Sequence, residues 1–257
     1  MQRLWGILAA AILLASPALG QTDPAKSAAP GYLVVVGQSS NRAAMGRYAG
    51  ALPPIYAKHQ GYYLGIGGPG RGVTWLQGPW RDRSLVLGRF PTREAVETFW
   101  WDEDYRSAVR LRDRAGVFSV LAVPSTGPTP FQGADAGFLI VMLASSEAGR
   151  ADSAGETFAR AVVESGGVVM SPLAPATARP LEGDTVFDRV WIAGWPSLAA
   201  REAFLASRSG RAARDAWSKA GFASAATING VARAEAAPAA APVRPPAAAP
   251  VRRNGAR

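Results

Sequence analysis

The chain has 257 residues, 48% of them hydrophobic and 18% charged, the composition of a globular protein long enough for one large or two ordinary domains. It contains no cysteine, which excludes disulfides, thiolate metal sites, a cysteine nucleophile and a lipid-modified cysteine. The formal net charge of +9 is unevenly spread: residues 31–124 hold twelve basic against seven acidic residues, 137–231 nine against nine, and 232–257 five against one. That pattern reads as a solvated surface with a basic tail, and no nucleic-acid partner is expected.

The chain opens on Arg3, an apolar run from Leu4 to Ala15, and the small-x-small triplet Ala18-Leu19-Gly20 before Gln21. This is the pattern of a cleaved signal peptide over residues 1–20, and the run of about 12 apolar residues falls short of the roughly 20 that span a bilayer. The expected location is therefore the periplasm or outside the cell. A short linker, 21–30, follows.

Between 31 and 124 the elements alternate. Tyr32 to Gly37 is an apolar, β-rich run, and Asn41 can cap a helix that carries Tyr48, Leu52 and Ile55 on one face. Pro53-Pro54 is expected to bend that helix or end its first part. Gly61 leads into a strand over 62–66, a glycine-rich turn, a short strand to Gln77, and a strand from Leu85 to Phe90. Thr92 can cap a second helix with Ala95, Val96 and Phe99 inward. After a break near Asp102 it continues through Tyr105, Ala108, Val109 and Arg112, and an alternating strand over 117–123 closes the unit.

Residues 125–136 read as a linker, and 137–231 repeat the order, with strands near 138–143, 167–171, 186–194 and 222–228 and helices near 152–165 and 198–219. An offset of 105 places Leu76, Gly78, Pro91, Ala95, Phe99 and Arg106 on Leu181, Gly183, Pro196, Ala200, Phe204 and Arg211 without a gap. Each half therefore reads as βαββαβ, and a sheet with helices on one face needs a cover for the other. The expected fold is α+β: two tandem ferredoxin-like βαββαβ domains forming an intrachain pseudo-dimeric α+β barrel, monomeric because the duplication supplies its own partner. Residues 232–257 contain PAAAPVR twice. They read as an extended, disordered tail whose arginines could touch anionic envelope polymers, or that simply solubilises the chain.

One stretch carries a resemblance. The glycine pair Gly67-Gly68, Leu76-Gln77-Gly78 with Trp80, Arg83 before a strand, Phe90-Pro91-Thr92, and Asp102 with Tyr105 together resemble the domain of unknown function 1330 family of the dimeric α+β barrel superfamily. Gln77 stands where the family usually has Glu, and Asp102 where it has Ser. The second half restores Glu182 and Ser207 but has Thr185 and Gly210 for the Trp and Tyr. The wider superfamily implies, by analogy of fold alone, cofactor-independent monooxygenases or isomerases working in a cleft.

Several motifs could carry chemistry. His59, the only histidine, lies at a helix end, where a solvated position is expected. GIGGPG at 65–70 fits a dinucleotide fingerprint in letters, but a strand rather than a helix follows, so it reads as a turn. Asp102-Glu103-Asp104 could ligate a hard cation or simply open a helix. No cofactor and no metal are expected. The aromatics Trp75, Trp80, Trp100, Trp101 and Tyr105, with Arg83, Arg89 and Arg112 near them, either pack a helix on the sheet or form a pocket. In the second reading Trp80 and Tyr105 line the apolar part and Arg83 or Arg112 holds the anionic group of a small organic acid. The expected function is non-catalytic binding of a small molecule or partner, with a cofactor-independent enzyme as the alternative.

Overall fold

The computed structural model describes residues 29–233 except 176, 185 and 186. The expected signal peptide and most of the basic tail lie outside the described residues. The first half comprises β1 (Gly31–Ser39), α1 (Arg42–Lys58), β2 (Tyr62–Pro69), β3 (Gly72–Gln77), β4 (Ser84–Phe90), α2 (Arg93–Trp101), α3 (Glu103–Arg110) and β5 (Gly116–Pro124). The second comprises β6 (Gly137–Ala144), α4 (Ala148–Glu164), β7 (Val168–Val169), β8 (Arg179–Glu182), β9 (Arg189–Trp195), α5 (Leu198–Ala206), α6 (Arg208–Ala220) and β10 (Phe222–Asn229).

Local chemistry sets the helix starts. Asn41, Thr92, Ser197 and Ser207 each accept a hydrogen bond from the amide three residues on, at 2.9–3.1 Å, satisfying one of the unpaired donors of the first turn. Asp102 ends α2 and accepts from the Asp104 amide at 2.9 Å to begin α3. Three expectations are corrected. Pro53-Pro54 does not end the first part of α1, which runs on to Lys58: both prolines and the residues four positions earlier, Ala49 and Gly50, are exposed, so water can take the carbonyls that lose their donors. The helix expected over 198–219 is two helices broken at Ser207. The strand expected over 167–171 shrinks to two residues, because Ser171 Oγ replaces a ladder contact by accepting from the Ile192 amide and donating to the Val190 carbonyl.

All ten strands join in one sheet, ordered β7-β9-β6-β10-β3-β2-β4-β1-β5-β8. Within the first half the order is β2-β4-β1-β5, and within the second β7-β9-β6-β10. Two strands cross over: β3 pairs with β10 of the second half, and β8 pairs with β5 of the first.

Strand alternation divides the side chains between two faces. Tyr32, Val34, Val36, Leu85 and Leu87 share one buried core with Phe138, Ile140, Met142, Val190 and Ile192, so the sheet curls until its two halves face each other. The opposite face of the first half, with Leu33, Val120 and Ala122, is covered by α1, α2 and α3. That of the second, with Leu139, Val141 and Trp191, is covered by α4, α5 and α6. Each large apolar side chain so buried contributes about 1.5–3 kcal/mol over leaving it exposed. Among the described residues no helix is long and apolar enough to cross a membrane.

Candidate functional site

The two long helices α1 and α4 have 17 residues each, but α1 buries four of them and α4 six, including Phe158. Where α1 stands off the outer face of β1, β2 and β4 a cavity of about 130 Å³ remains, walled by Leu33, Val35, Leu52, Val86 and Phe118. Tyr48, Tyr56, Tyr63 and Tyr105 also line it. Tyr48 Oη and Tyr105 Oη lie 3.0 Å apart, and the rings of Tyr56 and Tyr63 meet at 4.5 Å between centroids. Burial raises the phenols of Tyr56, Tyr63 and Tyr105 above the ordinary tyrosine range, because removal from water penalises the phenolate. At neutral pH these three are proton donors, not bases.

Arg112, two residues beyond α3, lines one end of the cavity and is only 4% exposed. Its Nη1 and Nη2 donate to the two carboxylate oxygens of Glu182 at 2.9 and 2.6 Å, and its guanidinium lies 4.0 Å over the Phe118 ring and 5.1 Å from that of Tyr48. Burial works against this charge, but the Glu182 carboxylate outweighs it and keeps Arg112 firmly protonated. The Nε has no hydrogen-bond partner. Arg112 and Phe118 also line an open cleft of about 350 Å³, together with Arg106, Val109, Arg110, Asp113, Arg114 and Glu182.

Glu182 reaches Arg112 because β8 has crossed to β5. The reciprocal crossing, of β3 to β10, brings Gln77 to α6, where Gln77 Oε1 accepts from Trp217 Nε1 at 3.2 Å and from Ser218 Oγ at 2.6 Å. The offset of 105 relates Gln77 to Glu182 and Arg112 to Trp217. A carboxylate thus faces the guanidinium and a neutral amide faces the indole, which accounts for Gln77 at a position where Glu was expected.

The four residues proposed from sequence do not form one site. Tyr105 and Arg112 lie on the outer face, at the cavity. Trp80 is buried in the core between the halves, edge-on to Trp75 and Phe187 with centroids at 5.8 and 5.4 Å. Arg83 stacks over Trp80 at 5.0 Å, and its carbonyl accepts from Trp75 Nε1. The chain passes from β3 on the inner side to α3 on the outer side, so closeness in sequence does not carry over to space. Nor is the guanidinium fork of Arg112 open to a ligand: Glu182 occupies it. Trp100 packs on Tyr105 at 5.0 Å, while Trp101 is 60% exposed and walls nothing.

His59 is not solvated: its side chain is 11% exposed, edge-on to Phe99, with Nε2 3.1 Å from Asp102. Lys58 bridges Asp102 and Asp104 at 2.8 Å, so those carboxylates serve to join α1 to α3. GIGGPG forms the end of β2 and the turn into β3, with Gly70 at φ +69°. Sequence reasoning missed Tyr56, Tyr63 and Glu182 as site residues. Only the shared helix face of Tyr48, Leu52 and Ile55, and the correspondence of Glu182 with Gln77, hinted at them.

Residues 30–126 match the family described as Domain of unknown function (DUF1330). No curated protein sequence matches the chain. Among solved structures it is similar to an anthrone oxidase-like protein, with 14% identity, 80% of this chain and 93% of that one covered, and a TM-score of 0.49. It is also similar to a protein named as a candidate monooxygenase from Lactobacillus acidophilus, with 8% identity, 81% and 97% covered, and a TM-score of 0.47. A third, named in the same way and from Fusobacterium nucleatum, has 9% identity, 80% and 94% covered, and a TM-score of 0.46. Likeness at this level assigns no activity to the chain.

Proposed function

We propose that the protein binds a small, largely apolar aromatic molecule in the cavity beneath α1, and that binding rather than catalysis is its role. The observation that carries this reading is the make-up of the wall: apolar side chains, four tyrosine hydroxyls and an arginine already neutralised by Glu182. Such a wall desolvates a ring and offers hydrogen bonds to one or two oxygen atoms. A proton-abstracting enzyme needs a base poised near neutral pH, and the buried phenols are shifted away from that condition. Ligand-observed NMR with benzamide as probe tests the reading. Wild type should bind it, and Val86→Phe, which fills the cavity from β4, should abolish binding while leaving the fold intact; equal binding by the two proteins removes the cavity as the site.

A cofactor-independent enzyme is the second reading, favoured by the Tyr48–Tyr105 hydroxyl pair, which could stabilise an oxyanion on a substrate that ionises unaided. Turnover lost in Tyr105→Phe with binding retained would support it.

The two halves are read as copies of one ferredoxin-like βαββαβ unit that pair within the chain as two molecules of a shorter protein would. Their repeated strand order and the reciprocal crossing of β3 and β8 support this. The leading residues support export to the periplasm or beyond, with the tail against anionic envelope polymers. Amino-terminal sequencing should find a mature chain starting near Gln21, and a protein retaining Met1 ends that reading.

A further inference from the structure

We infer that the bound molecule is an aromatic carboxylate, its ring in the tyrosine-lined cavity and its carboxylate in the arginine cleft beyond Arg112. This rests on the binding reading above and names the ligand class. Arg106 and Arg110 stand four residues apart on α3, a spacing that puts side chains on one helical face. Arg114 lies in the turn beyond, at φ +55°, and all three line the cleft. Arg106 is stacked over Trp100 and Trp101 at 5.8 and 5.5 Å, and none of the three guanidiniums has an ion-pair partner among the described residues.

The opposing charge in the cleft is small. Glu182 is taken up by Arg112, which leaves Asp113 as the one lining carboxylate against three guanidiniums. Arg112 lines the cleft as well, and its buried Nε is unpartnered. A planar carboxylate suits a guanidinium fork, and the charge-assisted contact is about twice as strong as a neutral one. Arg112 and Phe118 line both spaces, which makes the two adjacent, and the ligand is set with its ring in the cavity and its acid group in the cleft.

The test compares benzoate with benzamide, nearly equal in shape and different in charge, by calorimetry on the whole mature protein. Benzoate should bind at least about tenfold more tightly at low salt, and the difference should narrow as salt rises. Replacing two exposed arginines, Arg110→Gln with Arg114→Gln, should bring the two affinities to within about threefold; the same change at Arg208 and Arg211 of α6 should not. Equal affinities in the wild type, or a preference that survives the double substitution, overturns the inference and leaves the cavity reading standing if benzamide still binds. If neither probe binds, the cavity reading fails and this inference fails with it.

Discussion

Arg112 and Glu182 form an ion pair between the two halves, with the guanidinium buried. A buried ion pair is costly to break from one side, because the remaining charge keeps its desolvation without its neighbour. Glu182 is 30% exposed and can partly rehydrate, so Arg112→Met should cost about 2–3 kcal/mol, at or just below the usual range for such a break. Adding Glu182→Gln should recover part of that loss, which a double-mutant cycle in urea would measure. Asp102 gives a pH signature. The Lys58 ammonium, then His59 and the Asp104 amide, hold its carboxyl down from 3.8 to about 2 despite some desolvation. A carboxyl depressed in the folded state contributes stability above its unfolded value and loses it as pH falls through the folded one. Asn remains a good helix cap, so Asp102→Asn isolates the charge: its stability deficit should be full above about pH 4 and close as pH approaches 2.

At the scale of elements, α1 and α4 have equal length and pack differently. α4 carries Ala151, Ala154, Gly155 and Phe158 against the sheet, with Phe158 stacked on Trp191 at 5.5 Å. α1 carries Tyr48, Leu52 and Tyr56 and is tied down at its carboxyl end by Lys58 and His59, through Asp102 and Asp104. Gly46 and Gly50 lie on its exposed side, where an added Cβ meets nothing within 4 Å. Each costs a helix interior backbone entropy without giving packing in return. Gly50→Ala should therefore stabilise the protein by about 0.5–1 kcal/mol, read as a rise in Tm; a fall would mean that the exposed side of α1 meets something the helix interior alone does not explain.

The whole molecule is interlocked twice, through the shared inner core and through the strands that each half lends the other. Cut off at 126, the first half would lose β8 and β10 and expose Tyr32, Val34, Val36, Leu85 and Leu87 together. An apolar face of that kind drives association. The intact chain should behave as a monomer in light scattering, and residues 30–126 expressed alone should dimerise or aggregate. A stable, monomeric first half would count against the pairing of two copies within the chain.

What the sequence by itself determined is local. The caps at Asn41 and Thr92, the break at Asp102, the recurring strand runs and the offset of 105 all depend on residues a few positions apart or on direct comparison of two segments, and so could be read without coordinates. The periodicity of α1 also marked Tyr48 as facing inward. Only the tertiary structure decided what each face meets. The crossing of β3 and β8 joins residues far apart in the chain, and it places Glu182 on Arg112, 70 positions away, and Gln77 on Trp217, 140 positions away. The same arrangement sets Trp80 and Tyr105 on opposite faces of one sheet, although 25 positions separate them. Periodicity reports that a side is apolar, but which element covers it, and whether that element packs closely as α4 does or stands off as α1 does, depends on strand order and side-chain volume summed over both halves.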